Sequence, residues 1–279
     1  MGLRINTNVP SLSAQRNLRI TTTRQSDNFR KLSSGERITR AGDDAAGLAI
    51  SDNLQAIIRG LRQASRNADD AISLIQTAEG GLNEVSNIII RLRELAIQSA
   101  SDTVGDTERS FTDIEFQQLK AEIDRIANSS EYNGAKLLNG TTGILDFQVG
   151  VHNDPLLDRI SYDGVASDAS LVTLGLAGES ISTKEGAQLS LEKLDNALVY
   201  VNGIRANLGA TQNRLTSVVT TLAINDENLS SARSRIRDVD MASETADATK
   251  NNILAQSGIA VLAQANSAPS MALKLLNNM

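Results

Sequence analysis

Asp43 and Asp44 are adjacent carboxylates, His152 is the single imidazole, and Gly42 to Gly47 is a small-residue loop; these are the residues whose types could do chemistry. Acid–base catalysis or cation binding needs further ligands converging on the carboxylates, and two neighbouring Asp before an apolar run read as a turn or helix start. One His builds neither a His-based metal cluster nor a Ser-His-Asp arrangement, and His152-Asn153-Asp154-Pro155 reads as a solvated turn. The Gly42 loop lacks the Lys-Ser/Thr and preceding strand of a phosphate-binding loop. With no Cys there is no thiolate nucleophile, metal ligand or disulfide. No catalytic, metal or cofactor site is expected.

Charge narrows the partners. The 27 basic and 33 acidic side chains are interspersed and sum to −6, so no basic field invites nucleic acid or an anionic membrane. No stretch has the roughly 18 apolar residues of a membrane span, and the first residues lack the apolar centre of a secretory signal. The opening Met-Gly is read as a chance match to a myristoylation pattern.

The elements that remain are long helices. Leu54, Leu61, Ala68, Ile75, Leu82, Ile89 and Ala96 recur every seven residues, with Ile57, Ala64, Ala71, Ala78, Val85 and Leu92 three residues on, the seam of a coiled-coil helix. Over about 46 residues such a helix is about 70 Å long, which predicts an elongated molecule. Gly80 and Gly81 weaken it by about 1 kcal/mol each relative to Ala. A second seam runs through Ala187, Leu194, Val201, Leu208, Leu215, Leu222 and Leu229, with Ala197, Ile204, Val218 and Ala232; its periodicity carries the helix through Asn202-Gly203. Four Phe, three Tyr and no Trp suit narrow seams filled by Leu, Ile, Val and Ala.

Between the seams, Ile114, Leu119, Ile123 and Ile126 predict a shorter helix capped by Thr112 or Asp113. Two Asn-Gly pairs follow, then Leu145, Phe147 and Val149 alternate, with Ile160 and Tyr162 on the return strand of a hairpin. Gly164 to Glu185 reads as a surface connection or small irregular lobe. Residues 1–33 and 241–279 carry only thin apolar stripes, so these terminal helices are expected to order against each other and against neighbouring copies.

Specific strings add to this pattern. INTN at 5–8, LSSGERITRAGDDAAGLAI at 32–50, RLRELAIQSAS at 91–101, YNGAKLLNG at 132–140, LGATQNRL at 208–215, SRIRDVDMASE at 234–244 and the stretch from Asn251 through Pro269 closely resemble bacterial flagellins, in the family's order. The resemblance covers residues 1–140 and 190–276, and the short middle resembles a form built of the filament core alone.

The resemblance implies a mainly α fold, an antiparallel helical bundle with a small β-hairpin, whose terminal helices order on polymerisation. It implies inner-core helices at 1–42 and 237–279, with an outer layer from 43–182 and 183–236. The implied function is the structural subunit of the extracellular flagellar filament, with no cofactor. The implied partners are further copies, other flagellins, the flagellar type III export apparatus, an export chaperone, and cap and junction proteins. Polymerisation candidates are Ile5, Val9, Leu12, Leu262, Leu273, Leu275 and Leu276. The family's recognition by a vertebrate innate receptor of the TLR type points to Arg91, Leu95, Gln98 and Glu122. A hook–filament junction protein is the nearest alternative, and an enzyme displayed on filaments the alternative of another class.

Overall fold

The computed structural model describes residues 7–277, with side chains through residue 270. In chain order the elements are α1 (Val9–Ser34), α2 (Ala45–Ser99), α3 (Asp106–Ser129), β1 (Glu131–Tyr132), β2 (Ala135–Lys136), β3 (Ile144–Gln148), β4 (Arg159–Asp163), α4 (Lys184–Arg237) and α5 (Met241–Asn277). The chain forms two compact units, one of residues 1–56 with 228–279 and one of residues 57–227. The expected boundaries at 42/43 and 236/237 sit beside the ends of α2 and α4, whereas the division by compactness falls inside those helices.

The central unit, residues 57–227, is built on the two heptad seams. From Leu61 to Ala96 and from Ala187 to Leu222 most seam residues are buried, and Asn202-Gly203 lies inside α4 as the periodicity requires. At the start of this unit Ile58 is buried while Ile57 is only half-buried. A straight helix has 3.6 residues per turn, so a strict seven-residue row drifts off the seam at its end. Gly81 permits close packing: a Cβ there would stand 2.7 Å from Ser130 Oγ and 2.8 Å from Leu138 Cδ1, while one on Gly80 would meet nothing.

Helix α3 begins at Asp106, six residues before Thr112 and seven before Asp113, the two expected caps. Glu108 reaches back to accept from the Gly105 N–H at 2.9 Å, half of a capping box, and Asp106 and Glu108 place acidic charge in the first turn. Buried Arg109 stitches this turn to the end of α2, donating to the carbonyls of Ser99 at 2.9 Å and Ser101 at 2.8 Å. Asp113, expected as the cap, instead accepts from Ile181 N–H at 2.8 Å and Ser180 Oγ at 3.0 Å.

That contact belongs to a second departure. The segment from Gly164 to Glu185 contributes Ala169, Leu174, Leu176 and Ile181 to the core, so it is a packed strap and not merely a surface connection. Lys120 secures it from below: its Nζ donates to the carbonyls of Ala177 at 3.2 Å and Glu179 at 2.7 Å, and to Gln117. Burial lowers the Lys120 pKa against the opposing pull of Asp113 and Glu179.

The expected hairpin forms between β3 and β4, and its register sets Leu145 opposite Tyr162 and Phe147 opposite Ile160. It docks on α2, where Asn67 Nδ2 donates to Gln148 O at 2.9 Å. The Tyr162 hydroxyl donates to Leu137 O, and burial pushes its phenol pKa up. The first Asn-Gly pair forms a smaller hairpin of its own: Asn133 and Gly134 take φ 48° and 80°, the geometry of a two-residue turn between β1 and β2.

Candidate assembly and recognition surfaces

In the terminal unit α1 is capped by Asn8, whose side chain accepts from Ser11 N–H, and by Gly35 in the left-handed region at φ 71°. A polar hub follows. Glu36 and Asp238 form a β-bridge, Arg37 N–H donates to Arg237 O at 2.7 Å, and the Arg237 guanidinium pairs with Glu36 and Asp52, each at 2.9 Å. Asp43 closes the loop into α2: hydrogen bonds from Thr39, then Arg40, hold its pKa down to about 2. Asp44 accepts from Gly47 N–H at 2.9 Å, so both carboxylates serve the turn and helix start. Ile38 and Gly47 pack closely there, since a Cβ on Gly47 would meet Ile38 Cδ1 at 2.8 Å.

Helices α1 and α5 pair with each other, but through little apolar surface. The buried residues of α1 are Ser11 and Asn28, and among the described side chains of α5 they are Ala248 and Asn251. Outward stand Val9 (60% exposed), Leu12 (58%), Ile253 (59%) and Val261 (58%), with Ile20 and Ile259. Val9 and Leu12 are three residues apart and share a helix face. Leu262 is half-buried. Ile5 lies outside the described residues, as do the side chains of Leu273, Leu275 and Leu276 on α5.

The recognition candidates are only partly brought together. Arg91 and Gln98 are exposed on α2, but Leu95 is 2% exposed and belongs to the core, which corrects its reading as an accessible apolar contact. Glu122 bonds to Arg125 on its own helix and not to Arg91. The α3 residue that meets Arg91 is Glu115, at 2.9 Å, with Glu94 at 2.9 Å on the other side; hydrogen bonds to Glu94 and Glu115 raise the Arg91 pKa. A sequence signal for Glu115 existed. Once Gly105 is taken as the cap, counting back along α2 from Ser99 to Arg91 and equally far along α3 from Asp106 arrives at Ile114–Glu115.

Among the described residues no three His, Asp or Glu side chains are grouped to hold a metal. What the geometry offers is packing: a two-seam helical bundle carrying a strap and a hairpin, and a terminal helix pair with an uncovered apolar face. This is the class of α-helical coiled-coil proteins. Residues 5–142 match the bacterial flagellin N-terminal helical region, and residues 191–276 match the bacterial flagellin C-terminal helical region. A flagellin of Halalkalibacterium halodurans is 47% identical over 272 residues, covering 98% of this chain and 99% of that protein. A flagellar filament 30.7 kDa core protein of Treponema maltophilum is 43% identical over 285 residues, covering 98% and 99%. The crystal structure of Bacillus cereus flagellin superposes with a TM-score of 0.50 at 30% identity, over 56% of this chain and 88% of that one. The chain belongs to the bacterial flagellin family.

Proposed function

We propose that the chain is the structural subunit of a bacterial flagellar filament, its copies associating head to tail into a helical tube that serves motility outside the cell. The observation that carries this reading is the terminal pair, which presents Val9, Leu12, Ile20, Ile253, Ile259 and Val261 to solvent while burying almost nothing apolar of its own. Such a face calls for cover by another copy, and a heterologous contact that does not close on itself generates an open filament. A flagellin matching nearly end to end favours this over a hook–filament junction protein. A filament-displayed enzyme would call for a catalytic insert, and only residues 143–190 lie between the two flagellin regions.

In this reading residues 1–42 and 237–279 form the inner layer and 43–236 the outer tube. The subunit leaves the cell through the flagellar type III apparatus with an export chaperone, adds beneath a cap, and orders its terminal helices as it polymerises. Electron microscopy of the full-length chain with filament seeds tests it. The parent forms filaments, whereas Leu12→Asp combined with Ile253→Asp forms none and keeps the helical signal of the bundle. Absence of filaments from the parent, or normal filaments from the double variant, refutes the reading.

A second role, carried over from the resemblance, is contact with an innate receptor of the TLR type, for which Arg91, paired with Glu115, is accessible. An exposed ion pair alone is worth about 0–1 kcal/mol, so Arg91→Ala leaves folding intact. Receptor signalling by the free chain then falls sharply; unchanged signalling leaves Arg91 as a surface ion pair only.

A further inference from the structure

The seam between α1 and α5 repeats every seven residues, yet its occupants are largely polar or small. On α5 one shielded row is Glu244, Asn251, Gly258 and Ala265 and the other is Ala248, Ala255 and Leu262; on α1 Ser11 and Leu18 begin the matching row. A repeating seam has a competing alignment one heptad away in which the same faces meet, and apolar side chains discriminate poorly between the two. Polar rungs discriminate well, because a slipped rung leaves a shielded donor or acceptor without its partner.

Three rungs set one antiparallel alignment. At one end the Asn8 side chain does two things: its Oδ1 accepts from Ser11 N–H at 3.1 Å, and its Nδ2 donates to Ala265 O at 2.8 Å. That carbonyl is available for a reason. The residue four positions on is Pro269, inside α5, which has no N–H to donate back. Beside it, Ser11 Oγ donates to Asn266 Oδ1 at 2.7 Å. At the other end, Asn251 Nδ2 donates to Asn28 Oδ1 at 2.9 Å, and Asn28 Nδ2 donates to Glu244 Oε1 at 2.6 Å. Between the rungs Leu18 lies over Gly258, where a Cβ would stand 3.3 Å from Leu18 Cδ1. Slipped one heptad, either Asn28 faces Gly258 or Leu18 lies on Asn251. In both cases Asn8 reaches a carbonyl already occupied by its own helix.

We propose that Asn8, Ser11, Asn28 and Asn251 are the register-determining residues of this subunit. They fix which residues of α1 and α5 lie opposite one another, and so which apolar side chains, Val9, Leu12, Ile253 and Val261 among them, face the next copy. The carbonyl vacated by Pro269 singles out this alignment, since it lies in the body of α5, away from the helix end, and still needs a donor from outside the helix. The claim about register stands on the seam itself; its consequence for assembly rests on the filament reading.

The chain has no Cys, so engineered pairs report register without interference. Full-length Leu18→Cys/Gly258→Cys reports the observed alignment and Leu18→Cys/Ala265→Cys the alignment slipped by one heptad. Each is oxidised as free chain and after seeded assembly, and intramolecular cross-links are separated by gel mobility. With the polar rungs intact, the 18–258 cross-link exceeds the 18–265 cross-link by about tenfold or more; Asn28→Leu/Asn251→Leu brings the two within about threefold, because the slipped seam no longer strands an amide. Helicity at 222 nm verifies folding, and Asn28→Ala/Asn251→Ala serves if the Leu variant does not fold. Asn8→Ala and Pro269→Ala each raise the slipped fraction, and the double variant raises it no further than either alone, since both act on the Ala265 carbonyl. A tenfold preference that survives loss of the Asn rungs, additive effects of Asn8→Ala and Pro269→Ala, or absence of the 18–258 cross-link in every state overturns the proposal. An intact 18–258 preference in a chain that never forms filaments counts against the filament reading and leaves the register assignment standing.

Discussion

The two units of this chain use the same helical repeat to opposite ends. In the bundle, Leu82, Ile89, Leu92, Leu194 and Val201 fill the seam and are wholly shielded. In the terminal unit Ile38 and Ala248 are the only buried hydrophobic residues among those described, and the seam of α1 and α5 is held by amides and a hydroxyl. Burial of a Leu or Ile side chain stabilises by roughly 1.5–3 kcal/mol, whereas a neutral hydrogen bond adds about 0.5–1.5 kcal/mol net. The bundle therefore has strength of its own, and the terminal pair has specificity with little strength. Under the proposed function, a part that docks against another copy is well served by that division.

The contrast should be largest in hydrogen exchange. In the free chain, amides of α2 from Ala68 to Leu92 exchange at the rate of global unfolding, while those of α1 and the α5 segment from Met241 to Ser270 exchange at least about a hundredfold faster, and they become protected in filaments. Equal protection in the free chain would erase the distinction between the units.

A smaller effect sharpens what close packing contributes to the bundle. Gly80→Ala should stabilise by up to about 1 kcal/mol, because Ala is the better helix former and the site is open. Gly81→Ala should destabilise by about 1–3 kcal/mol, because the new methyl meets Ser130 and the fully buried Leu138. Urea midpoints of the two variants that move in the same direction would refute this account.

The smallest effect belongs to the hub of the terminal unit. Asp43 has its carboxyl held at about 2, below the ordinary 3.8, so its contribution is fully present above the ordinary value and is lost as pH falls through about 2. Exchange in the loop from Thr39 to Asp43 should quicken across that acid window, and Asp43→Asn should remove the pH dependence. A loop insensitive to acid in the parent would mean that the Thr39 and Arg40 hydrogen bonds do not hold.

How legible each unit was follows from the same contrast. The bundle seams were readable because Leu and Ile fall on the seven-residue rows and most of those rows are buried. The start of α3 was missed because its cap is a backbone N–H at Gly105 answered by Glu108, with no Ser or Thr to mark it. Glu122 came from the resemblance and not from the helix boundaries, and in the structure it pairs with Arg125 while Glu115 meets Arg91. The strap from 164 to 185 hid its buried residues because Ala169, Leu174, Leu176 and Ile181 follow no period. The terminal seam was described by its thin apolar stripe, while the residues that align it, Asn8, Ser11, Asn28 and Asn251, are polar and carry no hydrophobic signal.

The buried phenol of Tyr162 has a consequence for how the molecule can be watched. Tyr132, Tyr162 and Tyr200 all lie between residues 57 and 227, and the chain has no Trp. Ultraviolet emission and near-ultraviolet dichroism from tyrosine therefore come from the bundle alone, and Phe29 is the only aromatic ring in the terminal unit. Melting followed by tyrosine light would pass over any loosening of α1 and α5 in silence, whereas far-ultraviolet dichroism would register it. Where the two curves part, the gap between them is an optical trace of the terminal helices, obtained without attaching a dye.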